Sequence, residues 1–294
     1  MIEIKNLTKK FDDTVALNNL NCKINPGTIM GLTGSNGSGK STLLRTLSGV
    51  YAPDGGEILI DEINAFDDAK IKEQCFFISD FPFFFNDSTL DKMASLYRGM
   101  YAGWDEEHYK ELCSLFHLDS NKKIILMSKG MQRQASLILA FSTRPKYLFL
   151  DEIFDGLDPV IRKTLKTLLI SEVSDNNLTC IIASHNLREI DDICNNIILL
   201  HQGNVVDSDD TDNIKNRIHK IQIAFNETPG EDIFEGLDVQ ILNHLGNYFS
   251  LMIKGDEDVI LDKLNSLNPA FIEVLPATLE EAFISEMEDV GYGK

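Results

Sequence analysis

Residues Gly34-Ser35-Asn36-Gly37-Ser38-Gly39-Lys40-Ser41-Thr42 fit the pattern G-x-x-x-x-G-K-[ST] without a mismatch. Each residue type has a physical reason. Glycines let the backbone wrap closely around phosphates and turn its N–H groups towards them. A helix beginning near Lys40 adds the positive end of its dipole. Lys40 is expected to reach the terminal phosphates of a nucleoside triphosphate. Ser41 is expected to ligate Mg2+ through its hydroxyl, and Thr42 to add a phosphate contact. A second chemical element lies far along the chain. Tyr147-Leu148-Phe149-Leu150 reads as a buried strand that ends on two carboxylates, Asp151 and Glu152. Asp151 is suited to hold Mg2+, and Glu152 to orient the attacking water or take its proton.

These residues need a scaffold. Thr28 to Leu32 is an apolar run that leads into the glycine loop, and a helical run follows from Ser41 to Ser48. Thr179 to Ala183 is another continuous apolar run, with a helix expected over Val160 to Ser174 between it and Tyr147–Leu150. Strands alternating with helices predict an α/β fold around a mostly parallel sheet. Ile2 to Ile4, Leu20 to Ile24 and Glu57 to Ile60 predict an antiparallel β edge subdomain. Leu90, Met93, Leu96 and Tyr97, then Tyr109, Leu112, Leu115 and Phe116, recur at helical spacing, which predicts a helical subdomain over about residues 81–141. The polar run Asp207 to Asp212 suggests a boundary. The expected division is residues 1–212 and a small α+β appendage over residues 213–294. In the appendage, Ile221 to Phe225 and Tyr248 to Ile253 read as strands, and Val259 to Leu267 and Thr278 to Met287 as helices.

Composition narrows the function. A formal net charge of −19 opposes a protein that grips nucleic acid through its phosphates, so no nucleic-acid partner is expected. No apolar run approaches the roughly 20 residues needed to cross a bilayer. Service to a membrane would therefore go through another chain, with no direct insertion. The five cysteines include no C-x-x-C, so neither a zinc site nor a disulfide framework is expected, and a reducing cytoplasm is.

Taken together, the ordered motifs resemble the ATP-binding cassette (ABC) transporter ATPases over roughly Met1 to Val206. Met127-Ser128-Lys129-Gly130-Met131-Gln132 stands where that family carries Leu-Ser-Gly-Gly-Gln. Gly156-Leu157-Asp158-Pro159 is similar to its D-loop, Ser184-His185 to its switch histidine, and Phe11 to the aromatic ring it stacks on adenine. The resemblance implies an ATP hydrolase with a P-loop NTPase core, using ATP and Mg2+ and paired head to tail with a second copy or a paralogous ATPase. It also implies a transmembrane permease partner at the inner face of the cell membrane. ATP contacts then come from Phe11, the loop Gly34 to Thr42, Asp158, and Ser128 and Gly130 of the facing subunit, with His185 beside Glu152. A non-transport ABC ATPase or a nucleotide-dependent regulatory subunit stays open.

The pattern is not followed everywhere. Asp80, in Phe77-Ile78-Ser79-Asp80-Phe81-Pro82, replaces the family's glutamine; it can still ligate Mg2+ but adds a negative charge. Ile153 replaces a proline after Glu152. The Ser-Lys-Gly-Met form of the signature resembles a bacterial exporter-type subgroup. Phe81 to Phe85 reads either as core of the helical subdomain or as part of an apolar groove for a membrane subunit. The appendage carries no catalytic motif; dimer contact, regulation and passive stabilisation are all consistent with it.

Overall fold

The computed structural model describes residues 1–289, the side chains of residues 231, 232, 288 and 289 excepted. The last residues of the expected appendage, 290–294, lie outside the described residues. The chain divides into two compact units, Met1–Ser208 and Asp209–Lys294.

Three sheets organise the described residues. The first has the order β2-β1-β4-β5 and is antiparallel, formed by β1 (Ile2–Phe11), β2 (Thr14–Ile24), β4 (Gly55–Ile60) and β5 (Ile63–Asn64). The second has the order β10-β9-β3-β8-β7-β6. Its strands are β3 (Ile29–Gly34), β6 (Cys75–Ile78), β7 (Tyr147–Asp151), β8 (Thr179–Ala183), β9 (Asn196–His201) and β10 (Asn204–Asp210). The neighbours from β6 to β9 pair in parallel. Every residue of β3, β7 and β8 is buried. Both faces of a central parallel strand are covered, so its residues read as an unbroken apolar run.

The helix after the glycine loop, α1 (Lys40–Leu47), is held between the two sheets. Its Leu43, Leu44 and Leu47 share one core with Ile2, Leu17, Tyr147 and Phe149. Burial of side chains of this size contributes about 1.5–3 kcal/mol each. The start of α1 is thereby a fixed point. The edge strands run longer than expected: β1 continues to Phe11 and β2 begins at Thr14, because polar residues alternate with the buried ones and mask the pattern.

After the short α2 (Ala69–Glu73) and β6, the helical subdomain comprises α3 (Leu90–Met100), α4 (Glu106–Leu115) and α5 (Lys129–Ser142). Each begins on a capping residue, Thr89, Asp105 and Ser128 respectively, whose side chain accepts a backbone N–H from the first turn. Leu90, Met93, Tyr109, Leu112 and Phe116 are buried. Leu96 and Leu115 are exposed, at the margins of the apolar stripes. The core reading of the phenylalanine run fails. Phe81 and Phe83 are 76% and 78% exposed, and Phe85 is exposed as well. The long α6 (Pro159–Asn176) and short α7 (Leu187–Asp191) complete this unit. No helix of the described residues is long and apolar enough to cross a membrane.

The second unit begins with α8 (Thr211–Lys215), which spans both sides of position 212. It builds an antiparallel sheet in the order β12-β13-β11-β14 from β11 (Ile218–Ala224), β12 (Val239–Leu245), β13 (Tyr248–Lys254) and β14 (Phe271–Leu275). The inward residues Ile221, Ile223, Phe249, Leu251 and Ile253 share a core with Ile260 and Leu264 of α9 (Glu257–Ser266). The last helix is α10 (Leu279–Asp289). Thr278 and Glu281 close a reciprocal capping box at its start, with N–H donated to oxygen at 2.9 and 3.2 Å.

Candidate functional site

Three neighbouring parallel strands, β3, β8 and β7, end at the same edge of the sheet. Leu32 pairs with Ala183, and Ala183 with Asp151. The glycine loop, His185 and Glu152 leave those strand ends side by side, where ligands collect in open α/β sheets.

The loop is shaped by its own backbone. Gly34 has φ +149° and Gly39 +109°. A Cβ on Gly34 would fall 2.1 Å from the Leu200 carbonyl oxygen, and one on Gly39 2.7 Å from that of Ala16. Only glycine fits either position. Ser38 donates its N–H to the Ser35 carbonyl at 3.1 Å. Asn36 and Gly37 are exposed at the tip. The Lys40 ammonium donates to the carbonyls of Gly34 (2.7 Å) and Ser35 (3.0 Å), so the loop curls around it. Burial pulls the Lys40 pKa down, while the carboxylates of Glu152 and Asp151 oppose that shift. Ser35 Oγ lies 3.5 Å from His201 Nδ1. Thr42 accepts the Thr46 hydroxyl on its carbonyl.

Ser41 Oγ donates to Asp151 Oδ1 at 3.1 Å. Burial raises the Asp151 carboxyl pKa; the nearby Asp80 and Glu152 add to the rise, and Ser41 and Arg45 hold it back. Among the described residues, Asp151 Oδ2 and Ser38 Oγ are buried polar atoms without a hydrogen-bond partner. A buried carboxylate oxygen left open beside a serine hydroxyl is a hard oxygen pair of the kind Mg2+ prefers. The residues present therefore fit the ion.

Glu152 adopts φ +49°, and its N–H donates to the Ala183 carbonyl at 2.9 Å. That turn aims its carboxylate at His185, whose Nδ1 is 2.9 Å from Glu152 Oε2. The hydrogen bond to Glu152 raises the His185 pKa above 6.5, with its charge and that of Asp155 adding to the effect. Glu152, Asp155 and His185 each bring a ligand-type atom within 4.8 Å of the others.

The remaining expected residues make their contacts elsewhere. Phe11 is partly exposed at the end of β1, edge-on to Tyr51 at 5.2 Å with the Lys9 ammonium over its ring. Ser128 caps α5, accepting the Met131 N–H at 3.3 Å. Gly130 packs against the loop after Glu152: a Cβ there would meet the Gly156 carbonyl oxygen at 2.7 Å. Asp158 spends its carboxylate on the N–H groups of Val160 and Ile161, capping α6. The Asp80 carboxylate lies 3.5 Å from the Arg45 guanidinium, and its carbonyl accepts from Arg133 at 3.0 Å. Beside it, Phe76, Phe77, Phe83, Phe84, Tyr97 and Leu139 line a recess of about 290 Å³. Sequence reasoning missed Arg45, Arg133 and Asp155. None of the three carries a local signal.

Comparison with known proteins agrees with this geometry. The family model described as ABC transporter matches residues 17–155. A second model, an AAA domain described as a putative AbiEii toxin of a type IV toxin–antitoxin system, matches residues 124–191. The chain is 31% identical over 286 residues to the ABC transporter ATP-binding protein YtrB of Bacillus subtilis, covering 97% of this chain and 98% of that one. It is 29% identical over 224 residues to the bacitracin transport ATP-binding protein BcrA of Bacillus licheniformis, covering 75% of this chain and 73% of the relative. Among solved structures, an ATP-binding subunit of an ABC transporter superposes with a TM-score of 0.68 at 25% identity, over 73% of this chain and 92% of that one. A dimeric ATP-binding cassette in a post-hydrolysis state with ADP and Pi has the same fold, with a TM-score of 0.65 over 71% of this chain and 98% of that one. The glycine loop, the buried acidic strand end and these likenesses agree: the chain belongs to the ABC transporter ATP-binding protein family and is an ATP-hydrolysing ABC-type ATPase.

Proposed function

We propose that the chain is the motor subunit of a membrane transporter, closing and opening as a head-to-tail pair on ATP and Mg2+. The observation that carries this reading is the Ser41–Asp151 hydrogen bond beside the Glu152–His185 pair, all at one sheet edge with the glycine loop. Ser41 and Asp151 would hold Mg2+, which when bound neutralises phosphate charge. The backbone from Gly34 to Gly39 and Lys40 receive the phosphates, and Thr42 adds a contact. Glu152 takes a proton from the attacking water as its oxygen bonds to the terminal phosphorus. The bond from that phosphorus to the bridging oxygen breaks, and ADP leaves with the electron pair. His185 holds Glu152 and faces the terminal phosphate.

Phe11 stacks on adenine. Ser128, Gly130 and Asp158 of one subunit face the nucleotide of the other, a second copy or a paralogue. The triphosphate binds the closed pair better and shifts the equilibrium towards it; hydrolysis releases it. Exposed Phe81, Phe83 and Phe85 beside the aromatic recess support docking of a transmembrane permease, which would hold the chain at the cytoplasmic face of the membrane. The outward direction of transport rests on the signature Ser128-Lys129-Gly130-Met131.

The test is Glu152→Gln. It should keep nucleotide binding, accumulate dimers with ATP and Mg2+, and lose turnover by about 10²–10⁴-fold. Wild-type turnover would remove Glu152 from this role. For the partner, Phe81→Ser with Phe83→Ser should abolish co-purification of a multi-helix membrane protein in mild detergent.

A further inference from the structure

We propose that Arg45 is a positioning residue for the metal–nucleotide site, holding the Asp80 carboxylate by charge and withholding it from the site. Asp80 is clamped twice. Its carboxylate lies 3.5 Å from the Arg45 guanidinium on α1, the helix that opens with Lys40. Its carbonyl accepts a hydrogen bond at 3.0 Å from Arg133 on α5, the helix that opens on Ser128. A single residue, two positions beyond β6, is therefore tied to the phosphate-loop helix on one side and to the signature helix on the other.

The charges explain why the clamp matters. Asp80, Asp151 and Glu152 face a region meant for a polyanion. Asp80 and Glu152 stand near enough to the buried Asp151 for their negative charges to repel its own, and the Arg45 charge opposes that repulsion. Lys40 answers only part of this negative charge. A neutral side chain at position 80 would need no counter-charge; an aspartate does. Arg45 cancels Asp80 locally and leaves Asp151 and Ser41 to meet the metal.

The proposal rests on nucleotide binding at this site but makes a separate prediction. Without Arg45, the freed Asp80 carboxylate repels a metal-free triphosphate and attracts the cation of a metal-loaded one. The ratio of metal-free to Mg2+-loaded dissociation constants must then rise. Both partners of the pair are partly exposed, about a third or less of each side chain, so screening keeps the effect modest. A rise of about three- to fivefold is expected.

The experiment is calorimetric titration of β,γ-imido-ATP into the full chain, in EDTA and in Mg2+. Arg45→Gln should weaken metal-free binding more than Mg2+-loaded binding and so raise the ratio. Arg45→Lys, which keeps the charge, should not. Arg45→Gln combined with Asp80→Gln should bring the ratio back to that of Asp80→Gln alone. If Arg45→Gln weakens both arms equally, or raises the ratio equally with aspartate or glutamine at position 80, Arg45 only supports its helix and the proposal fails. Absence of binding by the unaltered chain would instead sink the nucleotide reading itself, so the two failures are distinguishable.

Discussion

His185 Nδ1 lies 2.9 Å from Glu152 Oε2, and the His185 backbone N–H points at the same oxygen from 3.4 Å. One carboxylate oxygen thus takes both the side chain and the main chain of the residue two positions beyond β8. The pairing follows from register, since β7 and β8 end level at Asp151 and Ala183. Glu152 then turns left-handed, at φ +49°, and reaches across.

The His185 titration should report this contact. Glu152 raises the imidazole pKa above its ordinary 6.5, so Glu152→Gln should let it fall back towards that value in an NMR titration. The stability consequence has a definite sign. A histidine raised on folding contributes fully below pH 6.5, and its contribution fades as pH climbs through the raised value. Because His185 is more than half exposed, that contribution stays below about 1 kcal/mol. Unfolding midpoints measured across this interval should therefore change more for the parent than for Glu152→Gln.

Asp151→Asn should separate metal binding from nucleotide binding. The amide cannot offer the open anionic oxygen now next to the Ser41 partner. The Mg2+ concentration for half-maximal activity should rise by about 10–100-fold. Binding of ATP in EDTA should hold or improve, because one buried negative charge is gone. Equal loss with and without Mg2+ would point to a collapsed loop instead.

Gly130→Ala tests the contact between the signature helix and the loop after Glu152. The added methyl would meet the Gly156 carbonyl oxygen at 2.7 Å, so the loop leading to Asp158 must shift. Displacements on the ångström scale near reacting groups cost about 10–100-fold in turnover. ATPase activity should fall by that amount, while nucleotide affinity of the single subunit, set by Lys40 and its loop, should be unchanged.

Much of this site could be read in advance, for a physical reason. Phosphate binding needs glycines in backbone conformations that exclude other residues, and a buried parallel strand needs an unbroken apolar run. Gly34, Gly39 and the strand before Asp151 therefore announce themselves by type and spacing. Arg45 and Arg133 do not, because they act through tertiary contacts to Asp80 that no local pattern encodes. The phenylalanine run was ambiguous for the same reason. Apolar residues mark a core and an exposed docking face alike, and only burial separates them. In the second unit, Ile221 to Phe225 and Tyr248 to Ile253 were legible as inward-facing strands. The edge strand β12 was not: its Gln240, Asn243 and His244 break the alternation, and most of its residues are exposed.

The join between the helical subdomain and α6 rests on the buried Glu172 charge, which gives a prediction on stability. Arg144, just after α5, donates to Glu172 of α6 at 3.1 and 3.3 Å and to Asp105, the cap of α4, at 2.9 and 3.1 Å. His108 Nε2 also lies 3.2 Å from Glu172 Oε1, at ion-pair distance but off the line of a good hydrogen bond. Burial alone would raise the Glu172 pKa; His108, Asn176 and Arg144 together hold it below 4.5. Glu172→Gln leaves Arg144 and His108 facing an uncharged amide in a nearly closed site, which should cost about 2–3 kcal/mol at pH 7 in urea unfolding. A carboxylate lowered on folding stabilises above its unfolded value and loses that contribution as pH falls through its folded one. The parent should therefore weaken as pH falls below about 4.5, and Glu172→Gln should lack that component of the decline. A loss equal at pH 7 and at pH 4 would mean that the glutamate contributes by packing, and that α4 and α6 are not held together by its charge.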